Sequence, residues 1–487
     1  MPLGGELQIG LMGQNTTVDK RFTPDGTLQP LKDVFGAYLD ARLVPPLDSL
    51  DAVLAAFFPT LGLSTPAASA LGDLQYDALL ERTRAPISLN FGVSDWLAAF
   101  AVVPIVQGQS FVVEQFDSLA ANAGNASTAF GGNPVALFQE LNTGIAELEA
   151  IVLADTLGSG LQTEAERLLG EARAYEAGML AVAQQPYIPT DSGPNGRELT
   201  GFYDELRSGF QVFEITLPAV PLAAEITTQQ AVALTSGPEF GIEPPQSRST
   251  GIKFGDIEVG LSFQPFNSFR QRPGRPRPTV PIRAKLDALY RLATGSPPKA
   301  YRLFDIGTGD GQPDVEVRGT LDMGFGRRFW VSLFAGYNIQ LEAEIERLIT
   351  SRLSPIQLGA YTTTVLWNPG DVLTLMAAPR INLTRVITFS GLFMLTHHGR
   401  DQVQPAGPVN SGAPFVPSDL EEGTEWNARS LGFSARYSTT NWSGDRRSGI
   451  PVEVELTYLN TASGRDGIVP KRNIWQVGLR YYQNIFR

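Results

Sequence analysis

The chain has 487 residues, a formal net charge of −12 at pH 7 and no cysteine. The lack of cysteine excludes disulfide frameworks, thiolate metal sites and cysteine nucleophiles. An acidic chain argues against a nucleic-acid partner, which needs a basic surface. No run of 18 apolar residues occurs, so no membrane-spanning helix is predicted. The residues after Met1 lack the basic and apolar regions by which a signal peptide is recognised.

Segments of about ten residues with alternating apolar and polar side chains recur along the chain. In the segment 314–323, the odd positions are Val, Val, Gly, Leu and Met, and the even positions are Asp, Glu, Arg, Thr and Asp. Side chains alternate between the two faces of a strand, so one face is apolar and the other is largely charged. This pattern is typical of transmembrane barrels, whose outer face meets lipid and whose inner face is polar.

Twelve strands are predicted in chain order, at 5–14, 81–92, 94–106, 251–265, 279–294, 312–324, 328–341, 371–383, 386–398, 426–440, 450–462 and 472–486. An even number puts both termini on one side, as a closed antiparallel barrel requires. Aromatic residues lie towards the ends of the apolar faces, as interface girdles do: Tyr290, Tyr337, Tyr437, Tyr458 and Trp475. We therefore predict one closed transmembrane β-barrel over 1–487. The alternatives are fourteen strands, using 355–368, or a soluble all-β fold.

Two long insertions interrupt the strand pattern, at 15–80 and 107–250, and strand parity places both on the external side. The first contains an apolar, helical-looking stretch at Leu47–Phe58. The second has helical spacing over 134–184, where Leu141, Ile145, Leu148 and Val152 form one stripe. We expect the insertions to pack on each other as a helical cap over the external opening that controls entry; a solvent-facing cap is the alternative.

Charged residues inside the strands form the candidate site. The predicted lumen-lining ladder is Asp256, Glu258, Arg283, Lys285, Asp287, Asp314, Glu316, Arg318, Arg436, Glu453, Glu455 and Arg480, with Arg429 as a further charge in the same strands. Opposite charges across neighbouring strands stabilise pairing by ~0.2–1 kcal/mol each. One interpretation is a structural ladder that fills the lumen, and the other is a polar wall that selects what passes; the two are compatible.

Other polar motifs point only weakly to chemistry. The segment Asp305–Asp314 offers carboxylates and glycines but falls short of the calcium-loop pattern, so a tight external turn is favoured over calcium. The two histidines, His397 and His398, are neighbours in a strand and point to opposite faces, so they do not grip one ion. No nucleophile-elbow motif is found. We predict no catalytic residue, no metal and no cofactor, with a lipid-hydrolysing barrel as the enzymatic alternative.

The last predicted strand, 472–486, carries apolar residues at alternate positions from Trp475 onwards, like the final strand of an outer-membrane barrel. Such strands commonly end in an aromatic residue that the barrel assembly machinery recognises. Here Phe486 is penultimate and out of phase with the apolar face.

Several segments carry a family resemblance: Arg84–Asp95 (RAPISLNFGVSD), Val103–Val106 (VPIV), Phe254–Leu261 (FGDIEVGL), Gly307–Val317 (GTGDGQPDVEV) and Asn368–Asp371 (NPGD). Together they resemble the outer-membrane proteins described as transporters of the meta-pathway of phenol degradation. More loosely, the chain is similar to long-chain fatty-acid and aromatic-hydrocarbon transport barrels. The likeness covers about half of the chain and rests on turns and strand starts, so it supplies no binding residues.

The resemblance and the strand pattern together predict a porin-like channel or transporter for small, apolar or aromatic solutes in the outer membrane of a Gram-negative bacterium. Its expected partners are outer-membrane lipid, the barrel assembly machinery and the solute. The alternative is a structural or interaction protein with a sealed lumen, whose external insertions dock a protein partner.

Overall fold

A computed structural model describes residues 2–154, 157–269, 278–326, 328–407, 416–439 and 451–485. The chain forms two compact units. The first comprises Met1–Phe35, Tyr76–Val113 and Gly237–Arg487, and the second comprises Gly36–Gln75 and Glu114–Ser236.

Twelve long strands form a closed ring, which confirms the predicted barrel and its strand number. They are β1 Glu6–Phe22, β2 Ala70–Gly92, β3 Leu97–Asp117, β4 Glu258–Asn267, β5 Ile282–Arg291, β6 Asp314–Phe325, β7 Phe329–Gln340, β8 Val372–Asn382, β9 Ile387–His398, β10 Trp426–Ser438, β11 Val452–Arg465 and β12 Val469–Asn484. Each of the twelve predicted spans falls on one of these strands. β1, β2 and β3 extend well beyond the predicted spans.

The ring closes because β1 is paired on both of its edges. On one edge Glu6 to Phe22 pairs antiparallel with β12, and on the other Leu7 to Val18 pairs antiparallel with β2. Among the described strands of the ring, none is therefore left with an unpaired edge, as a strand-built membrane protein requires. Phe486, the expected recognition residue, lies outside the described residues.

Short turns join β2 to β3, β6 to β7 and β8 to β9. Between β2 and β3, Ser94 Oγ accepts hydrogen bonds from the backbone of Trp96 and Leu97, which ties the turn together. Between β6 and β7, Gly326 has a φ of +66°, a conformation that glycine adopts without steric cost. Between β8 and β9, the backbone N–H of Leu383 donates to the carbonyl of Ile387.

The segment considered for two additional barrel strands belongs to a separate sheet. Tyr361–Asn368 pairs with Ala343–Ile349 and with Gln402–Pro405 in a three-stranded antiparallel sheet outside the ring. The fourteen-stranded alternative is therefore wrong. Other short strands are Leu28–Pro30, Ala37–Asp40, Arg248–Ser249 and Lys253–Phe254, which pair with β1, β2 or β3, and Ala123–Asn125, which pairs with Tyr187–Pro189.

The two faces of the barrel wall differ in chemistry. Outward side chains are apolar and exposed, including Leu333 at 40%, Leu456 at 41% and Val477 at 55%. Their inward neighbours are polar and buried, including Asp322 at 5% and Ser332 at 7%. This inversion of a soluble protein's pattern is what a lipid bilayer around a closed barrel requires, which rules out the soluble all-β alternative.

Seven α-helices are described: α1 Leu31–Val34, α2 Pro46–Phe57, α3 Pro134–Ala154, α4 Ser159–Ala183, α5 Pro194–Gln211, α6 Thr228–Leu234 and α7 Pro417–Glu421. Single 3₁₀ turns occur at Phe58–Leu61, Ala126–Thr128 and Phe130–Gly132. None of the described helices has the length and apolar character needed to cross a bilayer.

In the second unit, helices from the two predicted insertions pack on each other. The ring of Phe57 in α2 lies 6.1 Å from that of Tyr175 in α4, and it covers Gly178 so closely that a Cβ there would clash. Tyr175 in turn stacks on Tyr203 of α5 at 4.8 Å. The stripe of α3 is also buried, since Leu141 and Leu148 are only 1% and 0% exposed.

Candidate functional site

The first ionic cluster of the inner wall is centred on Glu258 at the start of β4. Arg84 of β2 lies 3.2 Å from its carboxylate, Arg291 of β5 lies 3.6 Å away and Arg318 of β6 lies 3.9 Å away. Arg291 also contacts Asp314 at 2.6 Å. Four strands thus share one network, held together by register, because Arg291 pairs directly with Glu258 on one side and Asp314 on the other.

Other inward-facing charged residues near this cluster pair within their own strand or with the adjacent strand. Lys285 lies 2.8 Å from Asp287 on the same strand, and Ser262 Oγ donates to Asp287 at 2.5 Å. Arg318 Nε donates to Glu316 at 2.7 Å. All these acids and bases were predicted from the sequence as strand-interior charges.

The second cluster is centred on a residue that the predicted ladder omitted. Asp322 of β6 accepts from Arg283 of β5 at 2.5 Å, from Arg380 of β8 at 3.1 Å and from the hydroxyl of Ser332 in β7. Asp322 already stood on the charged face of its segment. The sequence signal for Arg380 was its position two residues before Asn382, which puts both side chains on the same face of β8. Its partner Asp322 is 58 residues away in the sequence and is identified only by the fold.

Strands β10 to β12 carry a third cluster. Arg480 lies 3.4 Å from Glu453 and 3.9 Å from Glu455. Arg436 lies opposite Glu455 in the register of β10 and β11. Arg436 and Arg380 both line a cavity of about 100 Å³. Arg429 does not join this set, because it is exposed and shares the outward face with Leu431 and Phe433.

Asp256 lies before β4 and differs from the rest of the ladder. Its carboxylate accepts backbone N–H groups of Gly295 at 2.8 Å and Asp310 at 3.4 Å, so it ties two connecting loops together. Burial, reinforced by the nearby carboxylate of Asp310, raises the pKa of Asp256 above its ordinary value. Asp256 therefore holds the loop that carries the resemblance motif and makes no ion pair within 4.0 Å among the described residues.

The glycine-rich segment Asp305–Asp314 is a hydrogen-bonded turn. Asp305 accepts the backbone N–H of Lys299 at 2.7 Å, and Asp310 accepts that of Gln312 at 3.3 Å. Within the described residues, no group of three or more carboxylate or histidine side chains is arranged to hold a metal ion.

The two histidines have separate surroundings at the end of β9. His397 Nδ1 lies 3.1 Å from the side-chain oxygen of Asn427. His398 stacks on Trp426 at 5.3 Å, and its Nδ1 lies 2.8 Å from the carbonyl of Thr424. They point to different partners, as strand alternation requires.

An apolar strip crosses the inner wall on β7, β8 and β9. Phe334, Met376 and Met394 follow one another in register, and Leu392 lies one inward position further along β9. All four alternate in phase with buried inward residues such as Ser332 and are half-buried themselves. Sequence reasoning missed this strip, although its signal was present as apolar residues in the polar phase.

No family model and no curated protein matches the chain. Among solved structures, it is similar to the COG4313 outer membrane channel from Pseudomonas putida F1, with 8% identity and a TM-score of 0.42 over 99% of this chain and 96% of that one. The Pseudomonas putida toluene transporter TodX matches at 9% identity and a TM-score of 0.27, over 100% and 90% of the two chains. A Pseudomonas aeruginosa FadL homologue matches at 10% and 0.27, over 99% and 91%.

Proposed function

We propose that this barrel is an outer-membrane channel for small apolar or aromatic solutes in a Gram-negative bacterium. The observation that carries the proposal is the apolar strip of Phe334, Met376, Leu392 and Met394 on the inner wall of a closed barrel. A barrel that served only to fill and seal its lumen with charge pairs has no need of an apolar strip there. Methionine side chains are flexible and polarisable, so they adapt to solutes of different shape.

The ionic clusters define the rest of the proposed path. They lie mainly on β4 to β6 and on β10 to β12, which flank the three strands of the strip. Because their acids and bases satisfy one another, they act first as a ladder that holds strand register. We propose that they also form polar walls on either side of the strip, which confine an apolar solute to β7–β9.

Uptake of radiolabelled toluene by bacterial cells with an intact outer membrane tests the proposal. Cells that make the protein should take up toluene faster than cells without it. The double variant Met376→Gln, Met394→Gln keeps side-chain length but makes the strip polar. Losing about 1.5 kcal/mol of apolar contact in the path should slow uptake by roughly tenfold.

The matched control is Thr374→Gln, which adds the same amide on the same face of β8, one inward position away from Met376. It should leave uptake close to the native rate. If native protein adds nothing to uptake, the channel proposal fails and the sealed structural barrel, with insertions that dock a partner, takes its place. If the double variant transports as fast as native protein, the strip is not the path.

A further inference from the structure

We propose that the first unit holds a binding site for a small amphipathic carboxylate, in a pocket outside the twelve strands. The cavity has a volume of about 350 Å³ and lies between the loop around Lys299, the end of α1 and the three-stranded sheet. That is within the size range of small-molecule sites. Below it is called the cationic pocket. The inference does not depend on whether the barrel conducts.

The charge of the pocket is opposite to that of the protein. Four cations line it, Lys299, Arg302, Arg347 and Arg352, against two carboxylates, although the whole chain carries a net charge of −12. A local excess of positive charge in an acidic protein favours an anionic ligand over a neutral one.

Arg347 is the cation available to a ligand. Its guanidinium lies over the ring of Trp367, 4.0 Å from the centroid, so the ring restrains its position. Across the described ranges, no carboxylate lies within 4.0 Å of its nitrogens. A planar guanidinium held in this way presents parallel N–H groups that fit the two oxygens of a carboxylate.

The neighbouring charges are already committed. Asp401 accepts from Trp367 Nε1 at 3.1 Å and from the backbone of Gly370 at 3.1 Å, and it lies 3.8 Å from Arg352. Arg302 donates to Glu243 at 3.0 Å. These contacts hold the pocket's walls in place and leave Arg347 and the exposed Lys299 as the lining cations with no carboxylate within 4.0 Å among the described residues.

The solvation of Arg347 supports the same conclusion. Burial, with a smaller contribution from Arg352, lowers the pKa of Arg347 to about 10. The guanidinium is still charged at pH 7 but has lost much of its water. An ion pair gains strength where water is scarce, so an incoming carboxylate meets a cation that is ready to bind it.

The remaining wall of the pocket is apolar. Phe35, Leu303, Leu348 and Leu420 line it and are only half-buried. A small core of Ile345, Ile349, Val365 and Val403 packs against Trp367 and Leu420 and supports this wall. An inorganic anion would leave these side chains wet, and a neutral hydrocarbon would leave the guanidinium unpaired. A carboxylate on an aromatic or short aliphatic body satisfies both parts.

Calorimetric titration of the full chain in detergent micelles tests this, with benzoate, benzyl alcohol and acetate as probes. Benzoate should bind at least tenfold more tightly than either of the others, because only benzoate uses both walls. Arg347→Gln should weaken benzoate binding at least tenfold and leave benzyl alcohol unchanged. The matched control, Arg173→Gln, removes a cation from an exposed ion pair with Glu149 in the second unit and should change nothing.

Arg347→Lys separates charge from geometry and should fall between native protein and Arg347→Gln. If Arg347→Gln does not fold, Trp367→Phe, which keeps an aromatic ring but loses the bond to Asp401, should still weaken benzoate binding relative to Arg173→Gln. The proposal is overturned if benzoate does not bind, if benzyl alcohol binds as tightly as benzoate, or if the folded variants of Arg347 and Trp367 bind benzoate like native protein.

Discussion

The inner and outer faces of the barrel wall are built by the same strands, yet they obey opposite rules. On β6 and β7, Asp322 and Ser332 face inwards and are buried, whereas the adjacent Leu321 and Leu333 face outwards. The outer face is apolar apart from single residues such as Arg429, because hydrocarbon is its main neighbour. The inner face is mixed, with ionic clusters on some strands and an apolar strip on others. The composition of the outer face is therefore set by the membrane, and within the barrel wall only the composition of the inner face bears on function.

The inner face should be the more sensitive to loss of one charge. Replacing Asp322 by alanine leaves both Arg283 and Arg380 without their shared carboxylate. Breaking a buried ion pair costs about 3–5 kcal/mol, and we expect the lower end because Arg283 keeps 33% of its side chain exposed. Urea unfolding in lipid bilayers measures the loss.

The control for Asp322→Ala is Glu149→Ala, which breaks an exposed pair with Arg173 in the second unit. It should cost less than about 1 kcal/mol. Equal losses for the two variants would show that the clusters of the inner wall are no more than surface ion pairs.

The outer face should reject charge where the inner face accepts it. Leu456→Arg places a cation against hydrocarbon and should cost about 2–4 kcal/mol near the bilayer midplane, as should Leu333→Arg. Thr457→Arg, on the next residue of β11, points inwards beside Ser434 and should cost much less. Refolding yield into bilayers and unfolding free energy both measure the difference. Similar costs for Leu456→Arg and Thr457→Arg would contradict the assignment of the faces.

These two faces also explain how far the sequence could be interpreted. The strands were predictable because lipid on one side forces strict alternation, as in β6 and β7. The lengths of the strands were not predictable, because the apolar side chains keep to the outward face only where that face meets lipid. β2 begins at Ala70 and not at 81, and in the additional residues the apolar side chains of Leu74, Tyr76 and Ala78 lie on the buried face instead of the exposed one.

The site was predictable only in part. Charged residues within strands were visible as candidates, but their partners depend on register: Arg380 meets Asp322 only after β8 is placed beside β7. The apolar strip was missed because each strand contributes only one or two of its residues, such as Phe334 between the inward Ser332 and Gly336. The cationic pocket could not be seen at all, since Phe35, Arg347 and Trp367 are distant in the sequence.

A smaller effect is expected from removing the helical segments, which tests whether they limit access to the inner face. Replacing 41–69 and 118–236 by short Gly/Ser linkers removes α2 to α6 together, so no helix is left with an uncovered apolar face. All twelve strands remain, and we expect the barrel to fold. If the helices form a cap over the external opening, permeability to small polar solutes should rise. Unchanged permeability in a folded variant would mean that they do not gate the barrel.

The contrast between the faces is tested most directly by tryptophan quenching with brominated lipids. Two variants are needed, each keeping one of the six tryptophans and replacing the other five by phenylalanine. Trp475 is outward and 48% exposed, whereas Trp330 is inward, 6% exposed and stacked on Phe269 at 4.5 Å. In bilayers of acyl-chain-brominated lipid, we expect strong quenching of Trp475 and little quenching of Trp330. Equal quenching of both, or quenching of neither, would contradict a barrel whose outer face meets lipid and whose inner face does not.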